Sequence, residues 1–188
     1  EIIALETKLK EANHKIFSAK TVRTKRKWKT IHSELRTEMV EKLAENGFLT
    51  ASAANQIASW DMFNQNSAAS FFDADWMFGI KDGFDLVIGN PPYVLLQNTN
   101  IPKEQINILN TYFYSAQYKV DLYHLFFELS INILTEGGIL CLITPINFTM
   151  NEHNDRLREL LLRKTKIKVL VRFYIPLFEN ASVDNAIT

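Results

Sequence analysis

The pattern of hydrophobic and polar residues changes character partway along the chain. Residues 1–46 are rich in helix formers and place apolar side chains such as Ile2 and Leu5 at helical spacing. Gly47 follows as the expected helix end. Residues 51–63 are Ala-rich and contain neither glycine nor proline, so they predict a further helix. The first part of the chain is therefore expected to be helical.

Farther along the chain, short apolar runs alternate with amphipathic helical patterns. The strands are predicted at residues 84–88, 139–144 and 167–174, and the helices between them at residues 119–134 and 152–164. The sequence Glu136-Gly137-Gly138 predicts the stop of the first of these helices, and Pro145 the end of the middle strand. Strands that alternate with helices of this length predict βαβ units and a parallel sheet, so the expected fold class is α/β.

The first predicted strand runs into a stiff corner, in the stretch FDLVIGNPPY of residues 84–93. Two prolines lock φ and remove two N–H donors, which leaves backbone carbonyl oxygens pointing outward. Asn90 adds a side-chain acceptor, and Tyr93 offers a flat aromatic face. Since ligands of parallel sheets bind beyond the carboxyl ends of the strands, the pattern predicts a site for a planar ring that carries an NH₂ group.

Composition narrows the class of protein. The chain has 188 residues, of which 47% are hydrophobic and 22% charged, which is typical of a folded domain with its own core. Its single cysteine, Cys141, excludes an internal disulfide framework and a Cys-rich metal site. The four histidines are scattered, and each is expected to be exposed or hydrogen-bonded, so no metal site is predicted. No uninterrupted apolar stretch reaches membrane-spanning length, and a cytoplasmic protein is expected.

Charge is zero overall but unevenly spread. Residues 1–50 carry 11 basic and 7 acidic side chains, whereas residues 51–100 carry 1 and 5. The basic peak contains no acidic residue and consists of Lys20, Arg23, Lys25, Arg26, Lys27 and Lys29. Such a run is either a solvated helix face or a surface that contacts nucleic-acid phosphates, and both interpretations stay open here.

Several motifs resemble one family. The stretch DLVIGNPPYV resembles the Asn-Pro-Pro-Tyr element, motif IV, of adenine-N6 DNA methyltransferases. The wider context resembles the large methylases of bacterial restriction–modification systems, including single-chain type IIG enzymes. This context comprises Asp75-Trp76-Met77-Phe78, DLYHLFFELSINILTEGGILCLITP and LFENASVDNAIT. The resemblance covers residues 71–188 well and residues 1–70 poorly.

The resemblance implies a domain organisation. Residues 71–188 are expected to form the C-terminal part of a Rossmann-like, S-adenosylmethionine-dependent catalytic domain, and residues 1–70 a helical, partly basic insert or linker. The family's Gly-rich cofactor loop is absent from the sequence and is expected before Glu1, and a DNA-recognition domain after Thr188. This piece alone is therefore expected neither to bind the cofactor tightly nor to methylate DNA. It should also leave sheet edges and apolar faces uncovered.

The resemblance also implies roles for individual residues. Asn90 and the Pro91 carbonyl would accept the amine hydrogens of adenine, within a corner stiffened by Pro92. Tyr93 would stack on the base, with Phe178 as a second aromatic wall or, alternatively, as a core residue. Asp121 and Tyr123 lie in a segment that the family places near both S-adenosylmethionine and the Asn-Pro-Pro-Tyr corner. Their structural alternatives are a helix N-cap and a packed aromatic.

The implied partner is double-stranded DNA with a flipped adenine, together with a specificity or restriction subunit or domain. Direct methyl transfer without a covalent enzyme intermediate is expected. A second enzymatic reading is a protein-glutamine N5 methyltransferase, whose amide substrate also presents an NH₂ group. A third is a non-enzymatic DNA-binding or scaffolding module on a degenerate catalytic domain, which a missing Gly-rich loop in the parent gene would support.

Overall fold

The computed structural model describes residues 1–47, 50, 53, 56–57, 60–61, 63–64, 66, 69, 71–175, 177 and 184–188. The chain divides into two compact units, Glu1–Lys81 and Asp82–Thr188. The sequence-based division between residues 70 and 71 lies N-terminal to this one and stays a prediction about domain organisation. The helix predicted at residues 51–63 lies largely outside the described residues.

The first unit is built on two long helices. Helices α1 (Ile2–Ser18) and α2 (Val22–Glu45) are followed by the short helix α3 (Ala74–Phe78). Leu5 and Leu9 of α1 pack with Met39 of α2 in a hydrophobic cluster, as their helical spacing predicts. The helical structure is interrupted between α1 and α2. Thr21 is the N-cap of α2, and its hydroxyl oxygen accepts a hydrogen bond from the Thr24 N–H at 3.1 Å. The helical prediction for residues 1–46 is therefore confirmed.

The second unit holds a four-stranded sheet. Its elements are β1 (Phe84–Gly89), α4 (Lys103–Tyr112), α5 (Leu122–Ile133), β2 (Leu134–Pro145), α6 (Asp155–Lys164), β3 (Val171–Arg172) and β4 (Asn185–Ile187). Three 3₁₀ turns lie at Leu96–Asn98, Ile146–Thr149 and Glu152–Asn154. The strand order is β1-β2-β4-β3. Strands β1 and β2 are parallel, which confirms the predicted βαβ unit, whereas β4 runs antiparallel to both of its neighbours.

Helices α5 and α6 cover one face of the sheet. Their buried side chains join β2 in a core cluster of Tyr123, Phe127, Leu142, Phe148, Leu157 and Leu161. On β1 and β2, side chains alternate between this face and the opposite one. The opposite face is apolar but exposed, with Leu86 54% and Ile88 72% accessible among the described residues. Ile139, the register partner of Leu86, is 63% accessible. This bears out the expectation of an uncovered apolar sheet face.

Several element boundaries differ from the sequence-based predictions. Helix α5 ends at Ile133, before Glu136-Gly137-Gly138, and β2 begins at once with Leu134. A Cβ on Gly138 would lie 2.9 Å from the Leu134 side chain and 3.0 Å from the Phe84 carbonyl oxygen. Gly138 therefore permits close packing at the start of the β1–β2 pair. The strand predicted at residues 167–174 shortens to Val171–Arg172.

Candidate functional site

The Asn-Pro-Pro-Tyr corner follows β1 directly. Gly89 ends the strand and pairs with Leu142 of β2, so the corner begins at the carboxyl end of a parallel strand pair. Asn90 is exposed and Pro91 is buried. Among the described residues, no hydrogen bond reaches the Asn90 side chain or the Pro91 carbonyl oxygen. Two oxygen acceptors are therefore unengaged at this edge of the sheet, where the sequence placed them.

Tyr93 is fixed against β2. Its hydroxyl donates a hydrogen bond to the Ile143 carbonyl oxygen at 3.0 Å, and burial raises the pKa of the hydroxyl, which keeps it a donor. Its ring meets Tyr123 edge to face, with centroids 6.4 Å apart and an interplanar angle of 81°. The Tyr93 ring is thus half-buried, with its orientation set by a hydrogen bond at its tip and a second ring at its edge.

A short antiparallel bridge joins the corner to the start of α5. The Leu122 N–H donates to the Val94 carbonyl at 3.0 Å, and the Leu96 N–H donates to the Val120 carbonyl at 2.9 Å. This bridge holds Asp121 beside the segment that follows Tyr93. The sequence predicted that α5 and the corner would lie close together, and the hydrogen bonds supply the physical cause.

Asp121 occupies the N-cap position of α5 without a side-chain capping bond. Its Oδ1 atom is buried and has no hydrogen-bond partner among the described residues. Burial raises the pKa of the Asp121 carboxyl group, while the nearby backbone N–H groups of Tyr123, Val94 and Leu122 oppose the shift. A buried acceptor of this kind lacks its expected partner, and so it remains able to accept a hydrogen bond from a ligand.

Tyr123 and His124 lie deeper in the second unit. Tyr123 is 3% accessible and belongs to the core, and burial raises its pKa. It contacts Tyr93, so its effect on the corner passes through the position of that ring. His124 is also buried, its Nε2 atom has no partner among the described residues, and burial lowers its pKa to about 4. The expectation that each histidine is exposed or hydrogen-bonded is wrong for His124.

The other predicted residues lie elsewhere or outside the described part of the chain. Phe178 is not among the described residues. The six basic residues lie in the first unit, at and before the start of α2, and all but Lys29 are exposed. Lys29 lies over the Phe63 ring, with its Nζ atom 4.0 Å from the centroid. Within the described ranges, none of the six basic side chains forms an ion pair.

Two residues near the site carried no sequence signal. Glu128 of α5 is buried, and its carboxylate accepts from the Tyr114 N–H at 3.0 Å and the Ser115 N–H at 2.7 Å. Tyr118 has a φ of 51° and an exposed ring. Both lie on or against the loop that leads from α4 to Asp121. An amphipathic pattern predicts an exposed glutamate, and no pattern predicts a tyrosine with positive φ.

Metal binding and membrane insertion find no support in the described ranges. No group of three or more His, Cys, Asp or Glu side chains within them is arranged to hold a metal ion. Among the helices of those ranges, none combines the length and apolar character needed to cross a membrane.

The α/β fold carries the Asn-Pro-Pro-Tyr corner at the carboxyl end of a parallel strand pair, which is the arrangement that the motif resemblance implies. The chain belongs to the Eco57I restriction-modification methylase family, whose model matches residues 2–178. The resemblance predicted from the motifs is thereby confirmed.

Individual relatives cover about half of the chain. It is 37% identical over 92 residues to the type II restriction enzyme and methyltransferase RM.Eco57I of Escherichia coli. The aligned segment covers 48% of this chain and 9% of that protein. It is 32% identical over 108 residues to the type II methyltransferase M.BstVI of Geobacillus stearothermophilus, 56% of this chain and 18% of that protein. It is 31% identical over 98 residues to the type II methyltransferase M.PaeR7I of Pseudomonas aeruginosa, and the aligned segment covers 52% of this chain and 17% of that protein. The matched segment is thus a small part of each relative.

Proposed function

We propose that this chain forms the target-amine part of the active site of a DNA methyltransferase that modifies adenine N6. One observation carries the proposal: among the described residues, no hydrogen bond engages the Asn90 side chain or the Pro91 carbonyl oxygen at the carboxyl end of β1. Membership of a restriction–modification methylase family supports DNA as the substrate. The relatives named as type II methyltransferases support methyl transfer as the reaction.

The two acceptors suit the chemistry of an exocyclic amine. This nitrogen is a poor nucleophile because its lone pair is delocalised into the purine ring. Hydrogen bonds from its two hydrogens to Asn90 Oδ1 and the Pro91 carbonyl would favour a pyramidal nitrogen with a freer lone pair. They would also stabilise the positive charge that develops as the methyl group arrives. Pro92 contributes stiffness, because its ring fixes the backbone that positions both acceptors.

The base must leave the duplex before its amine reaches these acceptors. Tyr93 is the residue proposed to stack on it, a contact worth about 1–3 kcal/mol per base. Its hydroxyl bond to Ile143 and its edge contact with Tyr123 fix the ring before the base arrives. Phe178 is proposed as a second wall on the strength of its motif alone, since it lies outside the described residues.

S-adenosylmethionine, when bound, supplies a methyl group activated by a positively charged sulfur. The described residue that fits a contact with this cofactor is Asp121, whose buried Oδ1 atom lacks a hydrogen-bond partner and would accept from a hydroxyl or ammonium group. Tyr123 is proposed to act beside it by holding Tyr93. The sequence of this chain contains no Gly-rich loop for the cofactor.

Double-stranded DNA is the proposed partner, and the exposed basic segment is proposed to contact its phosphates. This segment comprises Lys20, Arg23, Lys25, Arg26, Lys27 and Lys29. Five of its cations are exposed, Lys29 lies over the Phe63 ring, and none of the six is engaged in an ion pair in the described part of the chain. A specificity or restriction subunit or domain is a further proposed partner, and the cytoplasm the proposed location.

The test uses the full-length protein and measures transfer of a labelled methyl group to plasmid DNA and, separately, to a glutamine-containing peptide. Asn90→Ala is expected to reduce transfer to DNA at least about 100-fold, the loss typical of removing a preorganised acceptor or donor. Asn107→Ala, a change at an exposed asparagine of α4, is the matched control and should retain activity. Wild-type rates in Asn90→Ala would refute the role of the corner, and transfer to the peptide alone would favour the glutamine reaction.

A further inference from the structure

Tyr118 combines an unfavourable backbone with an exposed aromatic ring. Its φ of 51° lies in the left-handed region, and it is a non-glycine residue. This conformation is sterically disfavoured for a bulky side chain, whereas glycine adopts it freely. The Tyr118 side chain nevertheless projects into solvent, with 67% of the residue accessible. Most of the residue therefore remains in solvent although its backbone conformation is disfavoured.

The backbone of Tyr118 is held beside the continuation of the Asn-Pro-Pro-Tyr corner. The Gln97 side-chain amide donates to the Tyr118 carbonyl oxygen at 3.2 Å. Two residues later, the Val120 carbonyl accepts from the Leu96 N–H in the bridge that follows Tyr93. The loop that carries Tyr118 is thus fastened to the segment that leaves the corner, and the position of the ring is fixed relative to the site.

The ring has neighbours suited to a nucleic acid. The His153 ring lies 4.3 Å from it between centroids, tilted by 38°, and Lys119 places its Nζ atom 5.8 Å from its centroid. His153 and Lys119 are themselves exposed. Exposed aromatic rings next to a lysine are the combination that proteins use to stack on unpaired bases and to neutralise the adjoining phosphates.

We propose that Tyr118, supported by His153 and flanked by Lys119, is a stacking platform for a nucleobase of the target DNA next to the flipped adenine. The inference builds on the proposed function, since it takes DNA as the substrate. Extruding one base exposes the faces of its neighbours in the duplex, and an aromatic platform restores part of the lost stacking. The strained tyrosine is explained in this way by the contact that its ring makes with the substrate.

The decisive variant is Tyr118→Gly in the full-length protein, because glycine fits the positive φ and removes only the ring. We expect its dissociation constant for a plasmid-derived duplex that the protein methylates to rise about 5- to 150-fold, the effect of removing one base–aromatic stack. The melting temperature should be equal or higher. Tyr118→Phe should bind as the wild type does. Tyr112→Ala, a change at an exposed tyrosine at the end of α4, is the matched control.

A spectroscopic readout separates stacking from charge. A 2-aminopurine placed next to the target adenine should be quenched by stacking when the wild type binds, and this quenching should disappear with Tyr118→Gly. Unchanged affinity and quenching in Tyr118→Gly would refute the platform, as would an equal loss of affinity in Tyr112→Ala. Failure of the proposed function has a different signature, since in that case the unmodified protein methylates no DNA or Asn90→Ala keeps wild-type transfer.

Discussion

Replacing Glu128 by glutamine tests how the loop between α4 and α5 is held. The Glu128 carboxylate is buried in α5 and accepts the N–H groups of Tyr114 and Ser115 at 3.0 and 2.7 Å. Hydrogen bonds to charged groups contribute about 1.5–3 kcal/mol each, and leaving a buried donor unpaired costs a similar amount. Glutamine keeps one acceptor oxygen but turns its NH₂ group toward the second donor. We therefore expect the free energy of unfolding to fall by about 2–4 kcal/mol.

Two measurements check this expectation. Urea unfolding followed by circular dichroism gives the change in stability, and amide hydrogen exchange gives the local protection of Tyr114 and Ser115. Both amides should exchange faster in Glu128→Gln than in the wild type. Glu136→Gln, a change at an exposed glutamate of β2, is the control and should stay within about 0.5 kcal/mol. Unchanged protection of both amides in Glu128→Gln would show that the carboxylate does not hold the loop.

Two further predictions concern charge. Burial lowers the pKa of His124 to about 4, so on acidification the unfolded chain gains a proton that the folded protein does not. The free energy of unfolding should therefore fall by roughly 3 kcal/mol from this group as the pH drops from about 6.5 to about 4. Unfolding measured across that range should depend less on pH in His124→Leu than in the wild type. Equal pH dependence in the two proteins would show that the ring is protonated in the folded state. Replacing Lys25, Arg26 and Lys27 by glutamine in the full-length protein should weaken DNA binding and make its salt dependence shallower, by about 0.9 in log–log slope for each phosphate that is no longer neutralised. An unchanged slope of DNA affinity against salt concentration would show that these basic residues form a solvated helix face and do not contact phosphates.

The sequence was most informative where the signal is local. The apolar run of β1 followed by two prolines predicts both the strand and the corner, because proline restricts the backbone whatever surrounds it. In α6 the buried residues Leu157, Leu160 and Leu161 follow helical spacing, in agreement with the amphipathic pattern of residues 152–164. The motif then identified the family, which the family match over residues 2–178 confirmed.

Prediction failed where a distant contact decides the local structure. Gly137-Gly138 has the form of a helix stop, but Gly138 serves the close approach of Leu134 and the Phe84 carbonyl oxygen. The apolar residues of the predicted strand at 167–174 satisfy a strand pattern, yet among the described residues the ladder with β4 is formed by Val171 and Arg172, extended by one hydrogen bond from the Phe173 N–H to the Asn185 carbonyl oxygen. A strand needs a partner as well as a pattern, and the partner is not visible in the strand's own sequence.

In the candidate site, too, the features with a local sequence signal were predicted and those that depend on distant contacts were missed. Asn90 and Tyr93 were predicted from the motif, whereas the hydroxyl bond from Tyr93 to Ile143 joins residues 50 positions apart. Glu128 was missed because its burial depends on the loop that folds over α5. The positive φ of Tyr118 was missed because tyrosine carries no preference for it.

The way the corner is held bears on which kind of function it serves. Tyr93 is bonded to β2, the segment after it is bridged to the start of α5, and the two prolines restrict the backbone between them. A surface that only binds DNA phosphates tolerates mobile side chains, because screened charge attraction depends weakly on position. Group transfer instead requires acceptors placed to within a fraction of an ångström before the substrate arrives. Three restraints therefore position two oxygens that no described residue engages, which is the arrangement that the proposed transfer reaction requires.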